Sequence, residues 1–267
     1  MRSLKLLKTL LLSLPLFLLV SNAYAVTDFE VEVRASGGDY TSILVAESAL
    51  DEDITAATIK VFSFDANSGT IPDGTAVTTD GGATTGVCVH QSVGGQILIK
   101  TIASGTFDDN DVVTDGTNSV TLSNSGDSPA IVLNILSDQG ISGQFIMTGG
   151  TSNTTNTYTI QGDVSSWDGT YDNAVVISLN TYSYSYLQYK QNGMRVQYLG
   201  FTVEEGTGLY YSVSGSDGYS VIYNNLILKD SGMKVYNHTG TLYNVLIIDP
   251  PEHGISNPSD SWGNTYV

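Results

Sequence analysis

The sequence predicts an all-β protein that ends in a short solenoid of stacked strand coils, and three observations carry that expectation. Gly, Ser, Thr, Asn and Tyr are abundant while charged residues make up only 14% of the chain. Long apolar patterns of period 3.6, the mark of amphipathic helices, are missing. The third observation is a repeat in the last third. "VQYLGFTV" from Val196, "VIYNNLIL" from Val221 and "TLYNVLII" from Thr241 align on Tyr198, Tyr223 and Tyr243, with large apolar residues at the sixth and eighth positions. The tyrosines recur after 25 and then 20 residues, within the range of solenoid repeats.

In chain order, residues 1–25 read as a secretory signal peptide. Arg2, Lys5 and Lys8 precede the apolar run Leu10 to Val20, and the small-residue site Ala23-Tyr24-Ala25 follows. The run is short for a bilayer span, and no later stretch approaches the ~20 apolar residues that a membrane helix needs. The expected product is exported, secreted or held in the periplasm or at the cell surface, and free of the membrane after cleavage. Cleavage removes three cations and no acid, so the formal charge goes from −17 to −20. Such a surface repels phosphate backbones and disfavours a nucleic-acid partner. Cys88 is the only cysteine, so no intramolecular disulfide forms.

Residues 26–64 are expected to form a strand and a capping helix. The helix is placed at Tyr40 to Leu50 after the turn "SGGD", with Asp39 as N-cap. Residues 65–138 change to Gly-, Thr- and Asp-rich turns between short strands and read as a small antiparallel β insertion, with a hairpin at Asp115-Gly116. Residues 139–267 hold the coils, and the chain is expected to be truncated at its C-terminus because three coils are near the minimum for a stable stack. Within a coil, positions 196 and 198 face inward, the chain bends at Gly200, Asn225 or Val245, and positions 201 and 203 face inward again. Asn225 is tolerated because a bend needs an unusual backbone angle and the amide can satisfy corner backbone groups. Tyr198, Tyr223 and Tyr243 are then expected to stack as an internal ladder.

The pattern V-x-Y-x-N-L-x-L resembles the coil consensus of right-handed parallel β-helix proteins, the pectate-lyase-like superfamily. "VEVRASGGDYTSILVAESAL", residues 31–50, looks like the N-terminal strand, glycine turn and capping helix of such proteins, and "WDGTYDNAVVISLN" is similar to the segment before their first regular coils. The resemblance implies a right-handed parallel β-helix with a polysaccharide or surface glycan as partner. It also implies polysaccharide lyase or glycoside hydrolase activity as an alternative to non-catalytic binding or surface architecture. A phage or cell-surface adhesin subunit, favoured if the chain trimerises, is the other alternative, and a homo-oligomer is an expected form of partnership. The superfamily's lyases abstract a proton with an arginine, whereas Arg34 and Arg195 stand in no lyase motif, so those roles do not carry over.

Candidate site residues follow from position. Glu204, Lys229 and Asp249 share one place in the aligned coils, just after the second strand, and are the catalytic candidates; an exposed ionic ladder is the plainer alternative. Tyr182, Tyr184 and Tyr186 alternate onto one strand face, where tyrosine rings can stack on sugar rings. Asp108, Asp109 and Asp111, with Asp115 close by, concentrate hard oxygens of the kind Ca²⁺ takes, but they lack the EF-hand glycine and glutamate and equally describe a solvated turn. No other cofactor is indicated. His90, His238 and His253 have no metal-ligand spacing and stay unassigned.

Overall fold

The computed structural model describes residues 26–103, 105–141, 145–147, 150–179, 187–189, 192–203, 211–215, 221–229, 232–235, 240–248 and 255–256. Residues 1–25, expected to be a signal peptide, and Tyr182, Tyr184, Tyr186, Glu204, Asp249, His238 and His253 lie outside the described residues.

β1 (Val26–Val33) alternates strictly: Phe29, Val31 and Val33 are fully buried while Asp28 and Glu30 face solvent. The chain then turns into α1 (Ile43–Ala49), which buries Ile43 and Ala46. The helix starts later than the sequence predicts, and its N-cap is Ser42, whose hydroxyl accepts from the Val45 N–H at 3.4 Å. Asp39 is engaged elsewhere. Its carboxylate accepts from the backbone N–H groups of Glu32 (2.8 Å) and Val93 (2.6 Å), which ties the turn to β1 and to a later hairpin.

Six antiparallel strands follow: β2 (Ile59–Asn67), β3 (Ala76–Thr79), β4 (Thr85–Gln91), β5 (Gln96–Thr101), β6 (Val112–Thr114) and β7 (Ser119–Leu122). They close into a barrel in the order β2-β5-β4-β3-β6-β7. The Asp115-Gly116 hairpin joins β6 to β7, with the Asp115 carboxylate accepting from the N–H groups of Thr117 and Asn118 and Gly116 at φ 90°. Alternation along β5 serves two cores at once. Ile97 and Ile99 point into the barrel with Phe62, Cys88 and Val120, while Leu98 between them joins Ile59, Val61 and Val89 in the larger core around Phe29 and Val31. Burial pushes the Cys88 thiol up to about 12, so it acts as an apolar filler. The barrel also closes the free edge of β1: the Gln96 amide accepts from Glu30 N–H (3.0 Å) and donates to Asp28 C=O (2.9 Å).

The remaining strands are β8 (Ser128–Ile135), β9 (Gln139–Ile141), β10 (Phe145–Met147), β11 (Tyr158–Gly162), β12 (Val175–Leu179), β13 (Leu187–Tyr189), β14 (Met194–Val203), β15 (Tyr211–Gly215), β16 (Val221–Lys229), β17 (Gly232–Val235), β18 (Gly240–Ile248) and β19 (Ile255–Ser256). All their pairings are parallel. An eight-stranded sheet contains β1, β8, β11, β14, β16 and β18 together with β12 and β9, and a five-stranded sheet runs β10-β13-β15-β17-β19. β8 was expected within the insertion, yet it pairs with β1 and β11. Its run of buried residues from Pro129 to Leu133 is what a central parallel strand carries on both faces, and period alone does not separate that from an insertion strand.

β14, β16 and β18 bend in mid-strand. The first half of β14 pairs with β11 and the second with β12. The residues at the bend are Tyr198 (φ 57°), Asn225 (φ 52°) and Asn244 (φ 50°), all in the left-handed region. Asn225 takes the expected role, and the Asn244 amide donates to its side-chain oxygen at 3.1 Å. Gly200 and Val245 are not the corners. Counting from the bend, Val196, Tyr223 and Leu242 lie inward two residues before it, and Leu199, Leu226 and Val245 one residue after it. The expected tyrosine ladder is therefore corrected: Tyr223 is fully buried, Tyr198 occupies a corner and Tyr243 is 46% exposed on the outer face. Register follows the left-handed corner and the inward apolar pairs. The shared tyrosine letters hid it because an aromatic residue holds the corner of β14.

Candidate functional site

Parallel pairing puts one residue per strand at the same height on the outer face, and polar residues occupy one such row throughout. Glu32, Asn134, Gln161, Gln197, Asn224 and Tyr243 are in register across β1, β8, β11, β14, β16 and β18. At roughly 4.8 Å per strand the row extends about 24 Å. Its lower rungs are linked: Gln197 donates to Gln161 (2.8 Å), Gln161 to Asn134 (2.6 Å) and Asn134 to the Glu30 carboxylate (3.2 Å). Each amide side chain has more hydrogen-bonding capacity than one rung uses, and the row is partly open to solvent.

Aromatic side chains flank the row at the corner. The loop between β11 and β12 is fixed by short turns in which Asp163 accepts from Ser165 N–H and Asp168 from Thr170 N–H, each at 2.9 Å. It presents Trp167 edge-on to Tyr198, with ring centroids 5.9 Å apart. Tyr171 lies over Gly200, where a Cβ would come within 3.3 Å of its ring. A Cβ at Gly200 would also come within 3.2 Å of Val176 Cγ2 and 3.3 Å of Ala174 Cβ, so the position is tight on more than one side.

Lys229 ends β16, exposed, with Nζ 5.3 Å from the Tyr171 ring centroid. The register places it between Thr202 and Ile248, while Glu204 and Asp249 lie outside the described residues. Arg195 is exposed on the outer face of β14, between Thr159 and Ile222. Asp108, Asp109 and Asp111 sit in the turn before β6. There the Thr106 hydroxyl donates to Asp108 and the Asp108 N–H to Asp111, both at 2.8 Å, and Asn110 has φ 67°. These bonds bend the chain. Among the described residues, no group of three or more His, Cys, Asp or Glu side chains is disposed to hold a metal ion. None of the described helices is long and apolar enough to cross a membrane.

The sequence left His90 unassigned, but the structure puts it at the junction of barrel and cap. Its ring stacks on Tyr40 with centroids 4.7 Å apart and meets Phe29 edge-on. Nδ1 lies 2.9 Å from both Asp73 Oδ1 and the Tyr40 hydroxyl, which donates to Asp73 Oδ2 at 2.7 Å. Nε2 is 3.4 Å from Asp39 Oδ1, an ion-pair separation outside hydrogen-bond geometry. Burial alone would disfavour the imidazolium, but the carboxylates of Asp39 and Asp73 outweigh it and hold the His90 pKa above its ordinary 6.5. Burial likewise opposes ionisation of Asp39 and Asp73; the neighbouring His90 imidazole, with backbone N–H groups at Asp39 and the Tyr40 hydroxyl at Asp73, keeps both below the usual 3.8. The signal available in "GVCVHQ" is a histidine inside an apolar strand, which must find a buried partner.

No protein-family model matches the chain, and neither the curated proteins nor the solved structures contain a significant match to it.

Proposed function

We propose that the protein is an exported parallel β-helix that binds a glycan along its outer face without turnover. The polar row from Glu32 to Tyr243 carries this reading, because it offers amide, carboxylate and phenol groups at a fixed spacing beside the aromatic pair Trp167 and Tyr198. A hydroxyl-rich linear polymer is the partner that such a surface suits: polar side chains meet its hydroxyls and ring faces meet its apolar faces. Parallel pairing in two sheets, with left-handed corners repeating in β14, β16 and β18, supports the β-helix reading. The basic, apolar and small-residue order of residues 1–25 supports export.

The test is affinity electrophoresis and product assay of residues 26–267 against acidic and neutral polysaccharides, with and without Ca²⁺. Retardation without release of reducing ends or unsaturated products is expected, and Gln161→Ala and Trp167→Ala each weaken it. Turnover that is abolished in Lys229→Ala would replace this reading with an enzyme. A stable trimer in light scattering with no glycan retained would replace it with an adhesin subunit.

A further inference from the structure

Three segments meet at His90 on β4: the turn between β1 and α1 with Asp39 and Tyr40, the connection between β2 and β3 with Asp73, and β1 itself through Phe29. Asp39 Oδ1 faces Nε2 at 3.4 Å, while Asp73 Oδ1 and the Tyr40 hydroxyl each lie 2.9 Å from Nδ1. The side chains of Asp39 and His90 are 1% and 7% exposed, so water does not solvate their charges while the contact is closed. Burial pushes up both the Tyr40 hydroxyl and the thiol of Cys88 on the same strand, which leaves the imidazole and the two carboxylates as the groups that titrate.

An imidazolium carries an N–H on each nitrogen and serves both carboxylates at once. A neutral ring carries one. Whichever nitrogen keeps it, the other turns a lone pair toward a carboxylate, and a buried charge that loses its counter-charge is costly. Asp39 transmits that cost to the chain. Its carboxylate accepts from Glu32 N–H at 2.8 Å and Val93 N–H at 2.6 Å, so it ties the capping turn to β1 and to the hairpin between β4 and β5. We infer that the His90 cluster is a pH-operated latch: the imidazolium holds the capping turn on the barrel hairpin, and loss of its proton releases Val93 from Asp39 while both cores stay folded. The latch is independent of the glycan reading.

The direction of each titration gives its window. His90 is raised, so the latch is fully closed below 6.5 and opens as pH rises through the folded value. Asp39 and Asp73 are lowered, so closure persists down to 3.8 and is lost as pH falls through their folded values.

The test is amide hydrogen exchange, read by NMR on the full mature chain from about pH 5 to about pH 9, across the range in which histidine switches. The Glu32 and Val93 N–H groups report the latch, and amides of β5 and β14 report the two cores. After correction for intrinsic exchange, protection of Val93 is expected to hold below pH 6.5 and then fall by up to about tenfold per pH unit, the slope of one linked proton, before levelling off. Protection in β5 and β14 is expected to stay unchanged. In His90→Gln the fall disappears. In Asp73→Asn, which keeps the imidazole, one N–H suffices for the remaining carboxylate and the fall is smaller. A pH-independent Val93 overturns the latch, as does a fall that persists in His90→Gln. Should that variant not fold, an unaltered fall in Asp73→Asn overturns it equally. Core amides that lose protection in step with Val93 would show global unfolding in place of a local release.

Discussion

At Asn225 the backbone sits at φ 52°, a conformation that costs an ordinary L-residue roughly 1–2 kcal/mol and glycine almost nothing. Asn225→Val is expected to destabilise the chain by about 1–2 kcal/mol, whereas Asn225→Gly loses only the bond from Asn244 and stays within about 1 kcal/mol of the parent in urea titrations. Equal losses in the two variants would show that the corner conformation is not what asparagine provides. His90 gives a second prediction at this scale. Its pKa is raised in the fold, so its stabilisation is complete below 6.5 and is lost as pH rises through the folded value. Asp39 and Asp73 are lowered, so theirs is complete above 3.8 and is lost as pH falls through their folded values. The stability gap between the parent and His90→Gln should therefore be widest between pH 3.8 and 6.5 and shrink on either side. A gap that does not vary with pH would remove the ion cluster as its cause.

Among the elements, α1 shows how neighbours override a local signal. "SGGD" before an apolar run reads as an N-cap at Asp39, and local rules favour it. The carboxylate is instead taken by two backbone N–H groups from separate strands, and the helix is capped three residues later by Ser42. Ser42→Ala should then cost about 1 kcal/mol, as an ordinary cap does, and Asp39→Ala clearly more, because two backbone donors and the imidazole lose their acceptor. Thermal midpoints that rank the two the other way would return the cap to Asp39.

For the molecule as a whole, the question is how the barrel and the parallel sheets depend on each other. β5 answers through adjacent residues: Leu98 is buried in the core of the parallel sheets and Ile99 in the barrel. Each truncation to Ala should cost about 2–5 kcal/mol. Trp167 lies beside the parallel sheet and no tryptophan lies in the barrel, so in a Trp262→Phe background, which leaves Trp167 as the one indole, fluorescence follows the parallel sheets. Leu98→Ala should lower the fluorescence midpoint although the residue belongs to a barrel strand. An unchanged midpoint would mean that the two cores unfold independently.

The sequence by itself determined the all-β composition, the acidic surface, the antiparallel hairpin at Asp115-Gly116 and the repeat that bends at Asn225. Each of these rests on a local cause, whether charge count, turn chemistry or the conformational tolerance of one residue. The tertiary structure decided the register, because a left-handed Tyr198 does the work that asparagine does in the next two strands and the sequence marks it with no distinguishing letter. It also decided the candidate binding row and the buried His90 junction. The polar row takes one residue from each of six strands, and the His90 junction joins Asp39, Tyr40, Asp73 and His90 across the barrel and the cap. Neither has a spacing that can be read along the chain, because pairing register and the closure of the barrel bring those residues together.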